Sequence, residues 1–154
     1  MSSTTETALM SLLAPLSGQA VPLEQVPDDV FSQKILGDGI AIIPADGKLY
    51  APVDGEIASI AETLHAYGFT SENGMEILVH VGLDSVALKG EGFKSHVQLG
   101  DKVKKGQLIA EVDLKFLESK GVPTITPVLI CEGAEDLKMN TITGNVRAGK
   151  DTVI

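Results

Sequence analysis

Aromatic residues are scarce: the 154 residues include no tryptophan, two tyrosines and four phenylalanines, so any core must be built from aliphatic side chains. Such a core suits strands, where β-branched residues pack well on a pleated surface. The single cysteine, Cys131, excludes an internal disulfide and fits a reducing compartment. In the apolar run Val128-Leu129-Ile130-Cys131 it reads as a small core residue. No apolar run approaches the roughly 18 residues that a membrane-spanning helix needs. No basic segment precedes the apolar stretch Ala8 to Leu16, and Glu6 lies upstream, so a signal peptide is not expected. Residues 1–11 are expected to form a flexible tail or a linker, and 12–154 one folded domain. Basic residues are also few. Twelve Lys and Arg face 21 Asp and Glu, a net charge of -9, which argues against nucleic acid or an anionic membrane surface and favours a basic protein partner.

Glycine and proline, by contrast, are frequent, at 16 and 7 residues, and they punctuate short aliphatic runs. Leu12 to Leu23 (LLAPLSGQAVPL) and Leu49 to Ile60 (LYAPVDGEIASI) echo one another, each reading as strand, tight turn at the glycine, strand. Gly100 to Val112 is a third variation, with two glycine-centred turns bracketing short strands. This pattern predicts an all-β fold, an antiparallel β-sandwich with hybrid barrel character and many short strands. One or two short helical turns are expected, around Pro27 to Gln33 and Leu114 to Ser119, the second opened by Asp113 as N-cap.

The stretch from Gly74 to Phe93 carries the chemistry. At period two, Met75, Ile77, Val79, Val81 and Leu83 form a core face, which places His80 on the outer face beside Leu78 and Gly82. Upstream, Thr63, His65, Tyr67 and Phe69 alternate with Leu64, Ala66 and Gly68, and Ser71-Glu72-Asn73-Gly74 is rich in turn formers. A hairpin follows. Depending on which two residues form the loop, His65 or Tyr67 pairs with His80, and both registers put the two imidazoles on one face. Cross-strand Cβ atoms lie roughly 4.5 to 5.5 Å apart, so both rings can touch one small ligand.

A neutral imidazole offers a nucleophilic lone pair near pH 7. Phosphoryl transfer to it crosses a loose transition state with charge spread over three oxygens, so it needs positioning and hydrogen-bond donors. Either histidine can accept the group while the other donates an N–H, and Thr63 can orient His65.

The run Gly74 to Ala87, with His80-Val81-Gly82-Leu83-Asp84-Ser85-Val86, resembles the signature of the glucose-type IIA component of the bacterial phosphoenolpyruvate-dependent sugar phosphotransferase system. The likeness extends through Val26 to Ile42, Leu49 to Ile57, Thr63 to Ala66 and Lys89 to Phe93, nearly the whole chain from about Ala14 onward. Two departures are visible: Ser85 where members commonly carry Thr, and Leu78 where they often carry Phe. The resemblance implies a phosphocarrier and phosphotransferase component with a phosphohistidine at His80, and with His65 needed to pass the phosphoryl group on. It implies the histidine phosphocarrier protein as donor, a IIB domain cysteine as acceptor, regulatory protein partners, and no direct contact with the sugar. Cytoplasmic placement is implied too, at the inner membrane face where the permease component lies. Asp28, Val30, Ile35, Leu36, Leu78, Asp84 and Val86 match the family's docking patch, and no cofactor or metal is called for.

Two other readings compete. Zinc peptidases of related β architecture use a His-x-His pair on a strand, but the position two after His80 is Gly82, leaving two strong ligands. Gly100 to Lys115 is similar to the half-motif of biotinyl and lipoyl carrier domains, but Lys115 lacks the Met neighbours of the biotinyl motif. The third histidine, His96, is expected to be merely solvated.

Overall fold

The computed structural model describes residues 12–33, 37–72, 74–83, 85–132, 143–151 and 153. In chain order the strands are β1 (Gly18–Pro22), β2 (Asp38–Pro44), β3 (Lys48–Tyr50), β4 (Gly55–Ile60), β5 (Ala66–Ser71) and β6 (Glu76–His80). Then come β7 (Phe93–Ser95), β8 (Lys102–Val103), β9 (Leu108–Val112), β10 (Thr126–Glu132) and β11 (Gly144–Val146). Two short α-helices, α1 (Asp29–Ser32) and α2 (Leu114–Ser119), and 3-10 turns at Leu23–Gln25 and Ser85–Leu88 complete the described elements.

An eight-stranded sheet has the order β11-β1-β2-β10-β6-β5-β4-β8, and a three-stranded sheet the order β3-β9-β7. The strand pairings are antiparallel, as expected for an all-β sandwich. The main core is aliphatic apart from Tyr67 and Phe69, drawing on Ile40, Ile42, Ile57, Ile77, Val79 and Val128 of the large sheet and Leu49 and Ile109 of the small one. Met75, Ile77, Val79, Val81 and Leu83 are all buried, so the expected core face is realised. Of these, Leu83 goes to a second cluster, with Val21, Leu23, Val26, Phe31, Ala41 and Leu129. That cluster covers part of the opposite face of the large sheet, because Val21, Ala41 and Leu129 alternate with neighbours that serve the main core. Half-buried Leu78, Ile125 and Cys131 pack against it, so Cys131 sits at the rim of the small cluster and not deep in the main one.

Local signals hold in most places. Asp113 accepts a hydrogen bond from the Phe116 N–H at 3.1 Å and so caps α2. Gly100 and Gly106 adopt positive φ at the two turns that flank β8. Gly18, however, opens β1 and does not turn it, so the first half of the internal echo is a single strand after an irregular lead-in.

The hairpin register departs from both expectations. Ala66 stands opposite His80, Tyr67 opposite Val79 and Phe69 opposite Ile77. The pairing closes where the Ser71 N–H reaches the Met75 carbonyl at 2.8 Å, reinforced by the Ser71 hydroxyl accepting from the Met75 N–H at 3.0 Å. Three intervening residues shift the register by one relative to a two-residue loop. Tyr67 and Phe69 therefore point into the main core, away from the face that carries His80. Among the described residues no helix is long and apolar enough to cross a membrane.

Truncation of Val79, fully buried at the centre of this pairing, should leave a cavity and cost about 2 to 4 kcal/mol in Val79→Ala. Glu76→Ala on the exposed phase of the same strand should stay within about 0.5 kcal/mol. Urea denaturation of both variants checks this, and equal costs would mean that β6 does not divide core from surface.

Candidate functional site

His80 ends β6, half-buried, and its ring lies against a carbonyl supplied two residues later. His80 Nδ1 is 2.8 Å from the Gly82 oxygen. A carbonyl only accepts, so Nδ1 carries the proton and the lone pair of the neutral ring resides on Nε2. Gly82 itself has φ +76°, and a Cβ there would stand 2.8 Å from the Pro123 carbonyl oxygen. Only glycine satisfies both conditions, and its carbonyl is thereby aimed at the His80 ring. The Leu83 N–H donates to the Pro123 carbonyl at 3.1 Å, and the fully buried Ser85 hydroxyl donates to the Val81 carbonyl at 2.5 Å. These bonds brace the residues on both sides of Gly82.

His65 reaches the same place by breaking the strand alternation. Its carbonyl accepts the Val81 N–H at 2.7 Å, which in an unbroken strand would direct its side chain into the core. Leu64 immediately before it has φ +61°, the left-handed region that a leucine occupies only at a cost of order 1 kcal/mol. The turn is closed by the Leu64 N–H to the Ala61 carbonyl at 2.8 Å. The two imidazoles meet edge to face, centroids 4.8 Å apart at 79°. Thus both rings share one site as expected, although the strand register that was to bring them together is different.

The Thr63 hydroxyl lies 2.5 Å from His65 Nδ1, the contact the spacing suggested. His65 is 8% exposed, and burial, followed by repulsion from His80, holds its pKa below the ordinary imidazole value. A neutral His65 that accepts at Nδ1 from Thr63 presents an Nε2–H donor. Among the described residues no group of three His, Cys, Asp or Glu side chains is placed to hold a metal ion.

Of the expected docking residues, Leu78 stands two positions before His80 on the same face of β6 and packs against the second cluster. Asp28 is half-buried, and its carbonyl receives the N–H groups of Phe31 and Ser32 at 3.1 and 2.9 Å, starting α1. Val30 falls in α1 and Val86 in the 3-10 turn after Gly82, with their side chains outside the described set. Ile35, Leu36 and Asp84 lie outside the described residues. Phe31 escaped the sequence reading although its ring centroid is 5.1 Å from that of His80. Its neighbour Val30 matches the family's docking patch, but nothing in local periodicity brings α1 to β6. His96 is more than solvated: Nε2 meets Glu111 Oε2 at 2.7 Å on the small sheet. That bond pulls the Glu111 carboxyl below its ordinary pKa.

Comparisons with known proteins bear on the family. Over residues 10–135 the sequence matches the family described as "phosphoenolpyruvate-dependent sugar phosphotransferase system, EIIA 1". It is 50% identical over 129 residues to the PTS system glucosamine-specific EIICBA component of Bacillus subtilis, covering 83% of this chain and 20% of that protein. The chain thus spans about a fifth of the length of that relative. It is 42% identical over 147 residues to the PTS system glucose-specific EIIA component of Oceanobacillus iheyensis, covering 94% of this chain and 88% of that one. The solved structure of glucose permease IIA from Mycoplasma capricolum superimposes with a TM-score of 0.87 at 36% identity, over 94% of this chain and 93% of that chain. On sequence and fold together, the chain belongs to the EIIA 1 family of the phosphoenolpyruvate-dependent sugar phosphotransferase system.

Proposed function

We propose that His80 is the phosphoryl acceptor of this phosphotransferase component and that His65 steadies the transferred group. The observation that carries this reading is the pairing of the two imidazoles on one face, with His80 held in a single tautomer by Gly82. The His80 Nε2 lone pair attacks phosphorus on a phosphohistidine of the donor protein. The donor's N–P bond breaks, and its electron pair returns to the donor ring. Nδ1 keeps its proton on the Gly82 carbonyl, so the phosphorylated ring is formally cationic beside a phosphoryl dianion. No proton moves, and the chain's contribution is position and charge. His65 Nε2–H donates to a phosphoryl oxygen, while Thr63 holds Nδ1.

The onward step reverses these roles, with a cysteine thiolate of a IIB domain attacking the phosphorus. The donor is the basic histidine phosphocarrier protein, in keeping with the net charge of -9. Both partners dock on the residues that match the family's docking patch, of which Leu78 stands two positions before His80 on the same face of β6. The sugar is handled by the membrane component, and this domain makes no contact with it. Phosphohistidine must survive between the two encounters, which calls for a site without a general base aimed at a water molecule.

Incubation with phosphoenolpyruvate, enzyme I and the phosphocarrier should add one acid-labile, alkali-stable phosphoryl group. His80→Ala should abolish it; a stable phosphoserine, or undiminished labelling, would overturn the assignment.

Replacing His65 by Gln keeps an N–H donor of similar reach but a poorer one, and should leave acceptance by His80 largely intact. Onward transfer should slow by up to roughly a hundredfold, about 3 kcal/mol, the cost of losing a preorganised donor outright. Thr63→Ala should show a milder version. Single-turnover kinetics of both half-reactions decides, and equal slowing of the two would show that the imidazoles act symmetrically.

The depressed His65 pKa also predicts a pH effect on stability. The unfolded chain binds a proton at the ordinary value of 6.5 and the folded chain only at lower pH, so stability falls as pH drops below about 6.5 toward the folded pKa. Between about pH 7.5 and pH 5.5 the melting temperature should fall less for His65→Gln than for the unaltered chain. Parallel melting curves would remove the burial argument.

A further inference from the structure

Phe31 lies 49 positions before His80 in the chain, yet the rings are in contact, with centroids 5.1 Å apart and planes at 56°. It is 5% exposed and belongs to the small outer-face cluster with Val21, Leu23, Val26, Ala41, Leu83 and Leu129. A residue so enclosed has few rotamers available and offers a fixed wall. It also offers little surface for docking. Its backbone is anchored as well, the N–H bonding to the Asp28 carbonyl at 3.1 Å in the first turn of α1.

The His80 ring needs such a wall. Its bond to Gly82 fixes one edge and the His65 ring meets it edge to face, and a further ring packed against it narrows its tilt. In-line transfer requires the Nε2 lone pair to be aimed at phosphorus, and small errors of aim are costly. Tilted aromatic pairs at this separation favour a defined mutual orientation. An aromatic ring within about 6 Å also tolerates a cationic ring, the form that His80 takes once phosphorylated with Nδ1 still protonated.

We propose that Phe31 is a positioning residue for phosphoryl transfer, setting the orientation of the His80 ring from the outer-face cluster and joining α1 mechanically to the acceptor nitrogen. This rests on the reading that His80 is the acceptor. It assigns Phe31 a role distinct from docking: a docking residue governs partner affinity, whereas a residue that aims the ring governs the rate within the complex.

The test uses Phe31→Leu, which keeps an apolar side chain and removes the aromatic ring. Phosphorylation by the phosphorylated donor protein should show kcat lowered about tenfold, the upper span of aromatic-pair energies, with KM within about twofold of the unaltered chain. Imidazole nitrogen shifts in 15N NMR should show the His80 tautomers moving from the pure Nδ1–H form toward an average. A raised KM at unchanged kcat would make Phe31 a docking residue and overturn the proposal, as would unchanged kinetics with unchanged nitrogen shifts. The unaltered chain gives an independent measurement should the variant fold poorly: NOEs between Phe31 ring protons and His80 Hδ2 or Hε1 are expected, and their absence refutes the contact. His80→Ala run alongside separates the two levels. Retained labelling there defeats the acceptor assignment, whereas lost labelling beside an unaffected Phe31→Leu defeats only the role of Phe31.

Discussion

The hydrogen bond from His80 Nδ1 to the Gly82 carbonyl is the contact on which the site depends, and the surrounding chain is arranged to keep that carbonyl in place. Gly82 occupies the left-handed region against the Pro123 carbonyl, where no side chain fits. Val81 is held on one side by its N–H to the His65 carbonyl and by the Ser85 hydroxyl, and Leu83 on the other by Pro123. A turn that looks like a loose end after a strand is in this way tied to β5, to the following 3-10 turn and to the segment that leads into β10. The tautomer of one imidazole is thereby set by a backbone carbonyl.

The large sheet makes this possible because it is buried on one face and partly covered on the other. The main core fills the space between the sheets and gives β5 and β6 rigid backbones through Tyr67, Phe69, Ile77 and Val79. The second cluster, smaller and on the outer face, brings α1 and its Phe31 to the His80 ring. The histidines stand at the margin of that cluster, half-buried and nine-tenths buried respectively for His80 and His65. Partial burial has a chemical use: it keeps His65 neutral, and so a hydrogen-bond donor rather than a charge, near neutral pH.

Some expectations held for reasons other than the ones that produced them. The alternation from Met75 to Leu83 was legible because one face of β6 is buried, and period-two burial leaves its mark on residue type. The meeting of His65 and His80 follows from the sequence too, yet neither register of a two-residue loop is the one the hairpin uses. The rings meet because Leu64 adopts a left-handed conformation that nothing in its residue type announces. Tyr67 and Phe69, read as companions of the histidines, belong to the core for the same one-residue difference. His96 shows the ordinary limit of reading along the chain: its partner Glu111 lies on the neighbouring strand, 15 residues away.

The sequence by itself determined the all-β architecture, the cap of α2, the core face of β6 and the family signature around His80, because each is encoded in residues close together in the chain: turn formers, alternating apolar positions and a short motif. It also located both histidines and Thr63. Only the tertiary structure decided which nitrogen of His80 carries the proton, which backbone carbonyl holds it, how His65 leaves its strand, and that Phe31 touches the ring. Those facts depend on a positive φ, a one-residue register and a contact between segments 49 residues apart. Such features are set by the packing of whole elements against one another, which local composition constrains only loosely.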